Sequence, residues 1–162
     1  MQVLYELKFN IPNFLPCFIP LIMGILLIFN RAVFRLKRAP VRSGLASVLG
    51  IAILIFGIIV MTNYLLEYKE YKSCLENNQV QTVEGVVENF HPQPREGHDS
   101  EHFTVNGRYF EYSNFNMQNG YCNIMKENGV IKGNGQKVII KYIEDSEDSL
   151  NCNPILYIAE TE

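Results

Sequence analysis

The three histidines of the chain lie close together, with two acidic residues among them. His91, His98 and His102 fall within twelve residues, and Asp99 and Glu101 accompany them. Imidazole and carboxylate groups together could form a metal site, a binding site for a polar ligand or the active site of a metal-dependent hydrolase. The spacing H-x6-H-x3-H matches no established metal motif, so a ligand-binding loop and a solvated loop stay open beside the metal site. We predict a ligand-binding role for His91, His98, Glu101 and His102, with no metal.

No other segment carries a motif typical of catalysis. The sequence has no G-x-S-x-G elbow and no Walker loop, and its late glycines precede a predicted strand, so they form a turn instead of a phosphate cradle. The acidic pairs within residues 144–148 lack the spacing of an EF-hand, which predicts a solvated turn. We therefore expect no catalytic residue, no enzyme activity and no cofactor.

Charge divides the chain into two parts. Residues 1–66 carry six Lys/Arg and one Glu, whereas residues 67–162 carry eight Lys/Arg and sixteen Asp/Glu. The first part is therefore basic and the second is acidic, and together they give the net charge of −3. An acidic soluble part repels phosphates, so we expect no nucleic-acid partner.

Two uncharged stretches are long enough to cross a membrane. They comprise 22 residues (9–30) and 23 residues (44–66), and a helix that rises about 1.5 Å per residue needs about 20 residues for the hydrocarbon layer. Pro12, Pro16 and Pro20 should kink the first half of the first helix. A cleaved signal peptide is the alternative for that stretch, but the basic residues follow it instead of preceding it.

The segment between the stretches is rich in positive charge. It contains five basic residues and no acidic one, which by the positive-inside rule makes it cytoplasmic. We therefore predict a multi-pass protein of the inner membrane, with both termini and the acidic part extracytoplasmic. The basic residues are Arg31, Arg35, Lys37, Arg38 and Arg42.

Small residues form a stripe along the second stretch. Ser43, Gly50 and Gly57 recur every seven residues, a spacing that lets another helix approach closely. The first stretch of the same chain is the expected partner, and a homodimer through Gly50 and Gly57 is the alternative.

The acidic part reads as a small β domain. Alternating apolar residues and turn residues predict five strands, with an irregular insert before the fourth. Asn106-Gly107 is a hairpin turn signal, and Gly85 suggests a bulge in the first strand. We predict an α+β membrane protein, with a two-helix transmembrane hairpin (1–78) and a five-stranded OB-like β-barrel (79–162); a two-sheet sandwich fits nearly as well. The predicted strands cover residues 80–90, 103–105, 108–113, 137–143 and 155–159.

About half of the chain resembles a family of uncharacterised bacterial membrane proteins. Those proteins combine one or two helices with an OB-like β domain of unknown function, so the resemblance implies a fold and no activity. This chain departs from the family pattern at Lys126–Gly129, where a His-bearing, Gly-rich segment is usual. The matching residues are Phe90, Pro92, Pro94, Gly97, His98, Glu101, Phe103, Val105, Gly107, Phe110, Tyr112 and Ser113.

Three of the four cysteines lie in the acidic part or just before it. If the first strand runs antiparallel to the fourth, its start lies beside the connection between the last two strands. Cys74 precedes that start and Cys152 lies in that connection, so we expect a disulfide between them, with Cys122 left over.

Together these features favour a binding protein. We expect a membrane-anchored binding or scaffold module without catalytic activity, whose loops contact a protein partner. An immunity or accessory protein of a membrane complex and a metal-dependent hydrolase are the alternatives. Because the binding role places the predicted site in loops, we expect replacement of His98 and Glu101 to cost little stability, within about 0.5 kcal/mol.

The orientation can be tested with an impermeant thiol reagent in intact cells. We expect Arg38→Cys, in a chain whose other cysteines are serine, to resist the reagent because the basic loop is cytoplasmic. Glu84→Cys in the acidic part should react readily. Labelling at position 38 with protection at position 84 would reverse the orientation.

Overall fold

The computed structural model describes residues 1–29, 40–94, 99–115, 119–144 and 153–161. Contacts group the chain into two units, one of Asn10–Glu67 and one of Met1–Phe9 with Tyr68–Glu162. The helices are α1 (Ile11–Phe14), α2 (Phe18–Ile28) and α3 (Pro40–Glu76). The strands are β1 (Gln2–Glu6), β2 (Gln81–His91), β3 (Glu101–Val105), β4 (Arg108–Tyr112), β5 (Lys137–Tyr142) and β6 (Ile155–Glu160).

Two helical segments are long and apolar enough to cross a membrane. They are Ile11–Ile28 and Gly44–Glu76, of 18 and 33 residues. Only 11% of the apolar window of each is buried inside the protein, whereas a core helix of a soluble protein is mostly buried. The exposed apolar side chains are those that a lipid environment would cover.

Pro16 interrupts the first of these segments, in the half where the sequence predicts a kink, whereas Pro20 lies within the continuous helix α2. A 3-10 turn at Leu15–Cys17 separates α1 from α2, with Pro16 in its first positions. Pro12 sits at the start of α1, where the Asn10 side chain accepts the backbone N–H of Asn13. A proline is tolerated there because the first N–H groups of a helix have no partner within the helix.

Glycines bring α2 and α3 into close contact. A Cβ on Gly24 would lie 2.8 Å from the carbonyl oxygen of Gly50, and a Cβ on Gly50 would lie 2.8 Å from that of Gly24. Gly57 would meet Leu21 at 3.0 Å. The expected contact of the small stripe with the first helix of the same chain is therefore present, at Gly50 and Gly57.

The β domain is one six-stranded antiparallel sheet in the order β1-β6-β5-β2-β3-β4. The predicted five-stranded barrel is therefore wrong in strand number and in closure. The sixth strand, β1, lies before the first membrane stretch, in residues for which no strand is predicted. This strand pairs with β6, the last strand. Its partner is therefore distant in the sequence, and local sequence signals do not indicate the pairing.

The sheet is curled, and its longest strand, β2, pairs with different strands along its two halves. Its residues Gln81 to Val86 pair with β5, and Val87 to His91 pair with β3. In a flat sheet β4 and β5 would lie about 14 Å apart, three strand spacings. The rings of Phe110 in β4 and Tyr142 in β5 nevertheless lie 5.2 Å apart, across the inner face.

The inner face of the sheet carries the core, and the insert after β4 covers it. Phe103, Phe110, Val138 and Ile140 of the strands are fully buried. Tyr121, Ile124 and Ile131 of the insert join the same cluster. The insert contains a short 3-10 turn, Met125–Glu127.

Asparagines with positive φ angles occupy a hairpin turn and a bulge of the sheet. Asn106 and Gly107 have positive φ angles of 48° and 76° and join β3 to β4, as the sequence predicts. The bulge expected at Gly85 is absent: Gly85 pairs with Val138 in an unbroken register. The register of β2 shifts instead between Glu88 and His91, around Asn89 with a φ of 52°; Asn tolerates this left-handed conformation.

The helix contact can be tested with one added methyl group. We expect Gly50→Ala to destabilise the helix pair by about 1–3 kcal/mol, because the new Cβ would overlap the Gly24 carbonyl. Gly44→Ala is the matched control on the same helix, since nothing lies within 4 Å of its Cβ. Reversible unfolding of the full chain in mixed micelles measures both, and equal losses would contradict the close approach.

Candidate functional site

The structure separates the predicted site residues into two groups. His91 and His102 are cross-strand partners on β2 and β3, and their rings stack with centroids 4.8 Å apart. Glu101, beside His102 in the chain, is 0% exposed and faces the core. His98 lies outside the described residues.

The bulge at Asn89 determines the direction of His91. Glu88 pairs with Thr104, and His91 pairs with His102. Two residues of β2 therefore lie between these pairs, opposite a single residue of β3. One extra residue in β2 reverses the alternation of its side chains. Phe90 consequently packs against the core, and His91 joins His102 on the outer face.

The outer side chains form a continuous polar and aromatic surface, which we call the histidine face. His91 Nε2 lies 3.1 Å from a carboxylate oxygen of Asp99. The ring of Tyr109 lies 5.6 Å from that of His102, and its hydroxyl donates to Glu111 at 2.7 Å. The histidine face consists of His91, Asp99, His102, Tyr109 and Glu111.

The histidine face offers stacking surfaces, hydrogen-bond donors and two carboxylates. Aromatic rings held on a hairpin present contact area that loses little conformational entropy on binding. Within the described part of the chain, no three His, Cys, Asp or Glu side chains are placed to hold a metal ion. The arrangement is therefore suited to contact a ligand through stacking and hydrogen bonds.

The carboxylate of Glu101 accepts hydrogen bonds in the interior of the β domain. The Tyr112 hydroxyl donates to its Oε1 at 2.7 Å, and the backbone N–H of Met125 donates to the carboxylate at 3.0 Å. Burial, together with the neighbouring Tyr121 and Glu101, raises the pKa of Tyr112 well above its usual range, so this hydroxyl stays a donor. Glu101 thus ties the insert to the sheet. The expectation that it lies in a loop is wrong, because it is the first residue of β3.

Two further buried polar groups were not found from the sequence. The Tyr121 hydroxyl accepts the backbone N–H of Val130 at 2.6 Å, and burial raises the pKa of this hydroxyl. Gln93 is 2% exposed, and its Nε2 donates to Asn114 at 2.9 Å. Lys126 donates to the Gln93 carbonyl, so the insert is also tied to the segment that follows β2. No short motif marks any of these residues, because their partners lie far away in the sequence.

The expected disulfide is not supported. Cys17, Cys74 and Cys122 form no disulfide in the part of the chain that the structure describes, and Cys152 lies outside that part. The next residue, Asn153, donates from its side chain to the Tyr109 carbonyl at 2.8 Å. The described residue at the end of this connection therefore contacts the edge strand β4.

Comparison of the chain with known protein families, with curated proteins and with solved structures gives no match.

The role of Glu101 can be tested against its neighbour in β3. We expect Glu101→Ala to destabilise the β domain by about 2–5 kcal/mol, because two buried donors would lose their acceptor. His102→Ala, on the outer face of the same strand, should cost within about 0.5 kcal/mol. Chemical unfolding followed by near-ultraviolet circular dichroism measures both, and hydrogen exchange at the Met125 amide reports the insert. A small loss for both variants would refute the structural role of Glu101.

Proposed function

We propose that the protein is a membrane-anchored, non-enzymatic binding module that holds a protein partner on its histidine face. The observation that carries the proposal is the cluster of His91, His102 and Tyr109 on one surface of a β hairpin. His and Tyr present apolar ring faces and polar edges at once, and tyrosine is enriched at the centres of protein interfaces. The residues are also preorganised, since each is held by a strand and by a neighbouring ring.

Charge favours a basic partner. Asp99 and Glu111 border the rings of the histidine face. The described residues around them belong to a part of the chain with twice as many acidic as basic residues. A partner with exposed Lys or Arg would be attracted to this surface and would gain cation–π contacts with Tyr109.

The apolar helices support anchoring in a membrane, and the basic loop supports the proposed side of the membrane for the β domain. Two segments are long and apolar enough to cross a membrane. The five basic residues between them favour a cytoplasmic loop and an extracytoplasmic β domain in the inner membrane.

Site-specific photocrosslinking in native membranes tests the proposal. A photoreactive phenylalanine analogue at Tyr109 should give a discrete protein adduct, because this residue lies at the centre of the proposed contact. The same analogue at Glu84, an exposed position of β2 away from the histidine face, is the matched control. We expect His91→Ala with His102→Ala to lower the Tyr109 adduct about fivefold or more, since interface rings carry much of the binding energy.

The outcome is decisive in both directions. An adduct at Tyr109 that depends on the two histidines, with none at Glu84, supports the proposal. Absence of an adduct at Tyr109, or equal adducts at both positions, contradicts it.

A further inference from the structure

A cleft of about 230 Å³ lies near β1, the edge strand at the other end of the sheet from β4. One wall is the outer face of strands β1, β6 and β5, and the other is the last part of α3. We call it the α3 cleft. All its residues belong to the unit that contains the sheet.

The sheet wall is one cross-strand row. Glu6 pairs with Tyr157, and Tyr157 pairs with Lys141, so the three side chains lie side by side on three neighbouring strands. Directly opposed residues share a face of the sheet. The ammonium group of Lys141 lies over the Tyr157 ring, 5.4 Å from its centre.

The helix wall follows from helical spacing. Lys72, Leu75 and Glu76 occur at i, i+3 and i+4, which places them on one face of α3. Lys72 and Glu76 lie 3.8 Å apart, and their side chains are 55% and 66% exposed. Such an exposed pair is weak, so both groups are available to a ligand.

The cleft is therefore lined by two cations, two anions and apolar side chains. Lys72 and Lys141 balance Glu6 and Glu76, and Leu75 contributes apolar surface. A purely anionic ligand would be repelled by the two carboxylates. A zwitterion that carries a phosphate and a primary ammonium matches both pairs, because lysines bind the phosphate and carboxylates accept from the ammonium.

The position of Lys72 along α3 relates the cleft to a membrane. The uncharged stretch ends at Leu66, and Lys72 follows six residues later in the same continuous helix. This is about 9 Å of helix rise, comparable to the polar layer of about 5–8 Å on each side of a bilayer. A lysine side chain reaches further along the helix toward that layer.

We propose that the α3 cleft binds the headgroup of a zwitterionic phospholipid with a primary amine, of the phosphoethanolamine type. The proposal rests on the membrane anchoring proposed above and is independent of the histidine face. Lys72 and Lys141 hold the phosphate, and Glu6 and Glu76 hold the ammonium.

Native mass spectrometry of the full chain in detergent tests this assignment. The probes are phosphatidylethanolamine, phosphatidylglycerol and phosphatidylcholine at equal concentration. We expect preferential retention of phosphatidylethanolamine, because the other two headgroups carry no primary ammonium. The double variant K72Q/K141Q should lower that retention about fivefold or more, since charge-assisted hydrogen bonds to the phosphate are lost.

The matched control is K69Q/K137Q. It makes the same charge change on the same helix and the same strand, outside the cleft lining. E6Q/E76Q should abolish the preference for phosphatidylethanolamine over phosphatidylglycerol. Equal retention of the three lipids, or equal losses in K72Q/K141Q and K69Q/K137Q, would overturn the proposal and indicate nonspecific lipid at the helix surface.

A water-soluble probe separates this inference from the anchoring on which it rests. Glycerophosphoethanolamine should shift the nuclear magnetic resonance signals of Lys72 and Lys141, and less so in K72Q/K141Q. If the protein proved not to be membrane-embedded but the shifts appeared, the headgroup recognition would stand while the anchoring failed. No shifts and no lipid preference in an embedded protein would refute the cleft alone.

Discussion

The buried carboxylate of Glu101 constrains the rest of the β domain. A carboxylate removed from water needs hydrogen-bond donors, because an unpaired one costs several kcal/mol or more. Tyr112 supplies a donor from the neighbouring strand, and the second comes from the backbone of Met125 in the insert. The insert must therefore fold back over the inner face, where Tyr121 and Ile131 complete the core. The ring of Tyr121 then reaches Tyr5, 5.0 Å away, and helps to hold β1 on the sheet.

The same alternation that buries Glu101 exposes its neighbour. Glu101, Phe103 and Val105 face the core, so His102 and Thr104 face outward. The proposed binding surface is thus the reverse side of the strand that carries the buried network. Because that network fixes β3, the backbone that carries His102 is held in place, and the proposed binding would cost less conformational entropy.

Local signals in the sequence predicted much of this architecture. The two apolar segments, the interruption by prolines and the Asn106-Gly107 turn each depend on residues close together in the chain. The burial of Glu101 was missed because its partners Tyr112 and Met125 are eleven and twenty-four residues away. Strand β1 was missed because it pairs with β6 at the other end of the chain, and five residues before an apolar stretch give little periodicity. The closed barrel was expected because five strand signals were found, whereas a sixth strand occupies the edge of β6.

Two irregularities determine which side chains reach solvent on the two surfaces. In β2 the extra residue at Asn89 turns Phe90 inward and His91 outward. In β1 the register shifts between Val3 and Tyr5, so Tyr5 pairs with Ile158 and packs on the core, while Glu6 pairs with the outward Tyr157. Without this shift Glu6 would oppose Leu156, which is fully buried, and its carboxylate would lose its contact with water. β-Bulges redirect side chains in this way at many functional sites. Regular strands of the same sequence would place His91 and Glu6 in the interior, so the shape of both surfaces depends on where the pairing is broken.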